Sequence, residues 1–354
     1  MDILTQSIPV AIGLGAADMI PSQPGAIIGP IAWLFGHIIN FIFTGISSIG
    51  AVNALGFSII IITLIVRGAL VPSQLKMQQN TRKTQMVKPE MDKIRAKYGN
   101  SKDPELRRKM AAEIQALNQK HGINMLASCL PLLVTMPVFI ALFAVFGRAF
   151  YFIPGIGEVY TNLSQALIDL GPTYAREYLV GIVGPYVNTN NFDFSGANGA
   201  FDFANYADLN RALHVMRPES WDAIFASLSG AELATIQYYY DAKMSVQSFF
   251  GLDLVTSSGW GWPGILIPIL SVLTMAYSSW QMSKLNPATD PQTKMMQRIM
   301  LFVFPLLFGY FTIIAASGVG LYWVAGNLFL IAQNLIVFKF FPHKIDPTSA
   351  KEKK

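Results

Sequence analysis

Arg67 follows the run FSIIIITLIV and precedes GALV, so the sequence places a permanently charged guanidinium inside an apolar stretch with no acidic neighbour. A cation at that depth in a bilayer costs between about 3 and 17 kcal/mol, depending on how far it can recruit water. The side chain must therefore meet water, lipid headgroups or a visiting anion. One solution is snorkelling, since Lys76 lies nine residues further on, about 13 Å along a helix. The other is a hydrated cavity opening to the cytosol. Thr63, one turn before Arg67, and Ser271, Thr274, Ser278, Gln281, Trp323, Asn327 and Asn334 in later apolar stretches could supply its polar groups. Trp323, Asn327 and Asn334 share one helical face. Such residues also tie helices to one another in lipid, so each has a purely structural reading as well.

The chemistry on offer is transient electrostatic attraction, with little sign of bond making. There is no Walker loop, no GxSxG elbow, no HExxH helix and no spaced His and acid ligand set. Cys129 is the single cysteine, which excludes a disulfide framework, a cysteine zinc site and a cluster site. No cofactor, metal or enzymatic reaction is expected. The absence of Asp and Glu from the long apolar stretches weighs against a proton-coupled transporter, and no ion-filter sequence is present.

The elements that must position Arg67 follow from composition. Of 354 residues 52% are hydrophobic and 13% charged, against about 25% charged in a soluble domain. Runs long enough to cross a bilayer cover residues 54–74, 125–147, 262–282, 296–317 and 318–341. The last two are separated by Ser317 to Gly320 and are predicted to form a tight helical hairpin. Residues 29–49 are apolar too, but His37, Asn40, Thr44 and Ser47 or Ser48 recur at helical spacing, which predicts an interfacial helix. The first twenty residues carry Asp2 and Asp18 and no Lys or Arg, unlike the basic start of a secretory signal.

Lys and Arg are retained on the cytoplasmic side, so their distribution fixes orientation. Residues 1–66 contain none, residues 76–124 contain twelve against five acids, and residues 148–261 contain five against eleven. Residues 284–298 contain three against one, and the tail from Lys339 contains five against two. Five crossings fit this alternation, with 1–53 outside, 77–124 inside, 148–261 outside and the tail 342–354 inside.

The basic segment 77–124 reads as two helical arms. Gly99 stops the first, Asp103 caps the second with Pro104 at its first position, and Gly122 closes it. Pro89 is expected to kink or start the first arm. Met91, Ile94 and Tyr98 on one arm and Leu106, Met110, Ile114 and Leu117 on the other have the spacing of a paired helical hairpin. Lys88, Pro89, Lys93, Arg95 and Lys97 line the first arm and Arg107, Arg108 and Lys109 the second. Two uses are open: a solvated loop whose charge enforces topology, or a mobile arm meeting anionic headgroups, ribosomal RNA or emerging polypeptide. Met77, Met86 and Met91 suit adaptable apolar contact.

Three motifs in order, KPEMDKIRAKYG from Lys88, DPELRRKMAAEIQALNQKHGINMLASCLPLLVTMPVFIALF from Asp103 and GLYWVAGNLFLIAQN from Gly320, resemble the YidC/Oxa1/Alb3 family of membrane protein insertases. The resemblance covers roughly residues 54–147 and 255–341. It implies an all-α polytopic membrane protein of the bacterial cell membrane, with a core of five transmembrane helices, a cytoplasmic helical hairpin and an interfacial N-terminal helix. It further implies a hydrophilic groove, open to cytosol and lipid, that receives hydrophobic segments of nascent proteins. Arg67 stands where the family holds its groove cation, Trp323 would line the groove, Gln281 would lie near it, and the hairpin would recruit substrate. The implied partners are nascent membrane proteins and the phospholipid bilayer, with the ribosome and the Sec translocon as candidates and no sequence-specific nucleic acid.

The chain departs from the family pattern at Met125, where proline is common, and at Thr135, where glutamine precedes the Met-Pro pair. Residues 148–261 form a far longer outer segment than in ordinary members, and the large outer domain of Gram-negative members is missing before the Arg67 span, which suits a Gram-positive type with an insertion. Rival functions are a small-solute transporter or channel and a structural assembly factor acting through the outer segment.

Overall fold

The computed structural model describes residues 28–99, 103–123, 125–171, 174, 206–216, 218–285 and 291–340. The chain order is α1 Ile28–Ser48, α2 Ala54–Tyr98, α3 Pro104–Lys120, α4 Met125–Gly147, α5 Ala149–Phe152, α6 Pro154–Asp169, α7 Tyr206–Val215, α8 Pro218–Ser227 and α9 Gly230–Gln247. Then follow β1 Ser248–Phe249, β2 Leu252–Asp253, α10 Leu266–Leu285, α11 Pro291–Arg298, a π-helical turn Ile299–Val303, α12 Phe304–Ile314 and α13 Ser317–Phe340. The fold is that of an all-α polytopic membrane protein, with one antiparallel two-residue strand pair in its outer segment.

Among the described residues four helical runs are long and apolar enough to cross a membrane: α1, α2, Lys294–Ile314 and Ser317–Ile336. The expected third span is the 20-residue helix α10, whose Ser271, Thr274, Ser278 and Gln281 lower its apolar character. Two expectations change in detail. Pro89 does not start an arm, because α2 runs uninterrupted for 45 residues with Pro72 and Pro89 inside it. The fourth span is not a plain α-helix either. Pro305 has no N–H to give the Leu301 carbonyl, and the turn just before it widens, with the Phe304 N–H reaching back to the Ile299 carbonyl.

The chain divides into two compact units, one made of Met1–Thr63, Met136–Ile269 and Tyr310–Tyr322, the other of Leu64–Thr135, Leu270–Gly309 and Trp323–Lys354. In the first, α1 buries Ala32, Phe35, Gly36, Ile39 and Phe43 and packs on α5 and α6. Gly36 has no room for a side chain against the Phe152 carbonyl, and the Asn40 side-chain oxygen accepts the Gly155 N–H at 2.8 Å. The opposite side of α1 leaves Trp33, Leu34 and Phe41 exposed beside His37 and Thr44.

Segment 148–261, whose fold was not legible in advance, packs α6 against α7 and α9 around Tyr160, Leu163, Leu167, Leu209, Leu213 and Ile236, all essentially buried. A polar chain runs through it. The Tyr160 hydroxyl donates to Gln247 Oε1 at 2.8 Å, and Gln247 Nε2 donates to Asp253 Oδ2 at 2.6 Å. The buried Lys243 ammonium lies 5.3 Å from the Tyr160 ring centre and 5.8 Å from that of Trp221. Burial lowers its pKa to about 8, with the Asp253 carboxylate opposing.

The strand pair and the residues after it fasten further pieces of this unit together. The Phe250 N–H donates to Asn53 Oδ1 at 2.7 Å, and the Phe249 ring fills the space over Gly56. The Ser317 N–H donates to the Thr256 carbonyl at 2.8 Å, the Gly318 N–H to that of Leu254 at 2.7 Å and the Gly259 N–H to that of Ile313 at 3.1 Å. The turn between α12 and α13 is thereby held by main-chain bonds, which do not depend on side-chain identity.

In the second unit the inner part of α2 pairs with α3. Val87, Met91 and Ile123 form a small core, with Ile114 and Leu117 packed against it. The Glu113 carboxylate takes Lys97 Nζ at 2.6 Å and the Tyr98 hydroxyl at 2.7 Å. Those two donors hold the Glu113 carboxyl below its ordinary pKa. The Asp103 carboxylate caps α3 by accepting the Glu105 N–H at 2.9 Å, and Gly99 and Gly122 adopt φ of 59° and 61°, the left-handed geometry that glycine supplies at a helix end.

His214 yields a test of the outer core. Its ring lies 5.3 Å from Phe150. Burial, helped by the Lys243 and Arg148 charges and opposed by Asp253, lowers its pKa from 6.5 to about 4. The folded state therefore keeps it neutral where the unfolded chain takes up a proton, so this stability is present above pH 6.5 and lost as pH falls toward 4. The loss should amount to up to about 3 kcal/mol. Thermal melting of the detergent-solubilised protein at pH 7 and pH 4.5 should show a drop in Tm that is smaller in His214→Phe.

Candidate functional site: a polar seam beside Arg67

The site lies within the second unit. Arg67 is part-buried on α2, and its guanidinium rests on the backbone of α13 at Gly326. A Cβ built there would stand 2.7 Å from Nη2 and 2.9 Å from Nε. Nε is fully covered. Three residues earlier on α13, which is the same side of a helix, Trp323 stacks on Phe308 of α12 with ring centres 4.3 Å apart and planes 20° apart.

Beside them runs a seam between α10 and α13. Asn327 Nδ2 donates to Thr274 Oγ1 at 3.3 Å, and Asn334 Nδ2 donates to Gln281 Oε1 at 3.4 Å. Both rungs step seven residues on each helix and keep the same offset, so α10 and α13 run parallel with a heptad-spaced seam. Parallel third and fifth spans are what an intervening span returning the chain requires. Asn327 is 6% exposed, Gln281 3% and Asn334 2%. Hydrogen bonds of this length between membrane helices contribute about 0.6 kcal/mol each.

The sequence-based candidates thus fall in different settings. Arg67 and Trp323 both lie along the Gly326 side of α13. Gln281 and Asn327 belong to the seam, where their amides are engaged with the neighbouring helix. Thr63 is fully buried in the first unit, and its hydroxyl donates to the Ile59 carbonyl one turn back at 2.6 Å. On the hairpin, Lys97 is engaged with Glu113, Arg95 lies 3.7 Å from Asp92, and Pro89, Lys93, Arg107, Arg108 and Lys109 are exposed, with Lys88 half-buried.

Two site residues escaped sequence reasoning. Phe308 had no polar atom to draw notice. Gly326 did carry a signal: a glycine inside a long apolar helix marks a close approach, here by a charged side chain from another helix.

The 60Kd inner membrane protein family matches residues 47–175 and 206–344. The membrane protein insertase YidC of Oceanobacillus iheyensis is 24% identical over 88% of this chain and 81% of its own length. That of Bifidobacterium longum is 24% identical over 93% and 80%. The membrane protein insertase MisCA of Bacillus subtilis is 32% identical over 33% of this chain and 51% of its own length. The matched stretches take in α2 to α6 and every described helix from α7 onward, and the chain belongs to the 60Kd inner membrane protein family, that of the YidC/Oxa1/Alb3 proteins.

Proposed function

We propose that this multi-pass membrane protein is an insertase for nascent membrane proteins. A hydrophobic segment with a short acidic outer flank approaches from the cytosol, Arg67 attracts the flanking carboxylate, and the apolar helix slides into lipid. The driving force is the segment's own transfer, about 0.3 to 0.6 kcal/mol for each strongly apolar residue. A hydrophilic groove shortens the apolar distance that the flank must cross, and release into outer water ends the attraction. Arg67 does this with its charge, Trp323 stands on the same side of α13, and Gln281 and Asn327 hold that helix to its neighbour.

The single observation that supports this most directly is a guanidinium seated mid-helix against Gly326 in a set of spans whose sequences hold no Asp or Glu. The names of the relatives point the same way. The charge alternation, together with the parallel course of α10 and α13, favours an outer N-terminus and a cytoplasmic C-terminus. The two-sided exposed face of α1, apolar at Leu34 and Phe41 and polar at His37 and Thr44, suits a helix in the outer headgroup region. The basic hairpin recruits substrate, and the ribosome and the Sec translocon are its candidate partners.

Two experiments test this. In proteoliposomes Arg67→Ala should reduce insertion of a substrate with an acidic translocated flank by about tenfold, the loss expected of one charge-assisted hydrogen bond, while Arg67→Lys retains most of it. Equal insertion by wild type and Arg67→Ala would remove the electrostatic step. Deleting residues 85–119 should lower crosslinking to stalled nascent chains while leaving the protein in the membrane, and undiminished crosslinking would return the hairpin to a topological role.

A further inference from the structure

Gly326 is the only described glycine at which an added Cβ would come within 3 Å of a charged atom. Elsewhere the tight glycines meet uncharged neighbours: the Phe152 carbonyl at Gly36, the Phe249 ring at Gly56, the Phe150 carbonyl at Gly157, the Ser258 carbonyl at Gly264, the Leu254 carbonyl at Gly318 and Ile267 at Gly320. At Gly326 the three nearest heavy atoms are Nη2, Nε and Cζ of Arg67, at 2.7, 2.9 and 3.2 Å. These atoms end a long, flexible side chain. A larger residue at 326 would therefore leave both helices in place and push the guanidinium off its seat.

We propose that Gly326 is a positioning residue for Arg67: its missing side chain lets the guanidinium lie flat on α13, three residues past Trp323, and fixes where along the bilayer normal the charge is presented. The Nε edge is covered by this contact. Two features of α13 serve the arrangement. The seam through Asn327 and Asn334 holds the helix in one rotation about its axis, and Asn327 directly follows Gly326, so the rung that orients α13 also aims the glycine at Arg67. The stacking of Trp323 on Phe308 constrains the same face from the other side. The proposal deepens the insertase reading, since the charge being positioned is the one assigned to attract acidic flanks.

Gly326→Ala tests it in full-length protein with two separate readouts. In proteoliposomes the variant should insert an acidic-flank substrate about tenfold less well, the loss of one charge-assisted hydrogen bond, and a neutral-flank substrate as well as wild type does. In an Arg67→Lys background, which lacks both Nη atoms, the same substitution should have little effect. A general packing role for Gly326 would instead reduce both substrates in both backgrounds, and would overturn the proposal. The second readout needs no substrate. Modification of Arg67 by phenylglyoxal, followed by mass spectrometry, should be faster in Gly326→Ala because the covered edge is released. Unchanged modification overturns the seat itself. Faster modification with undiminished acidic-flank insertion upholds the seat and sinks the electrostatic role of Arg67, so the two failures are told apart.

Discussion

A guanidinium carried inside an apolar helix cannot shed its charge, because arginine stays protonated in proteins, and its surroundings have to make it tolerable. That requirement organises the second unit. The α13 backbone comes close enough at Gly326 to lie under the planar group, the Trp323 and Phe308 rings stack nearby, and amide to hydroxyl and amide to amide rungs fix the rotation of α13 against α10. Each of these contacts is modest. Together they restrict the charge to one place.

The first unit is held by different means. Its helices bury a continuous apolar core, and its polar chain from Tyr160 through Gln247 to Asp253 ends on the strand pair that touches Asn53 and Gly56. The turn between the last two spans is secured by carbonyls of residues 254, 256 and 313. Main-chain bonds tolerate sequence change, so a long outer segment can be added beside this belt without redesign of the spans that it joins.

Local chemistry made much of this readable in advance. Gly99, Asp103, Pro104 and Gly122 mark the hairpin because capping is decided within one turn of a helix. Arg67 was conspicuous because a charge in an apolar run is costly wherever the run ends up. What stayed hidden depends on which residues meet across helices. Thr274 with Asn327 and Gln281 with Asn334 were visible as polar residues but not as pairs. Pro89 suggested a place for an arm to start, but α2 runs through it, and the wide turn before Pro305 has no signature beyond the proline itself. In segment 148–261 the apolar period of Ile156, Tyr160, Leu163 and Leu167 was there to read, but not which helices it would pack against.

Pro72, inside α2, has one more effect. Pro72 has no amide hydrogen to offer the Gly68 carbonyl four residues before it, and Gly68 has no side chain and nothing packed within 4 Å of where one would be. The hydrogen-bond ladder of α2 therefore lacks a rung just past Arg67. A helix curves most readily where such a rung is missing, so the cation sits beside a place where its own helix can bend.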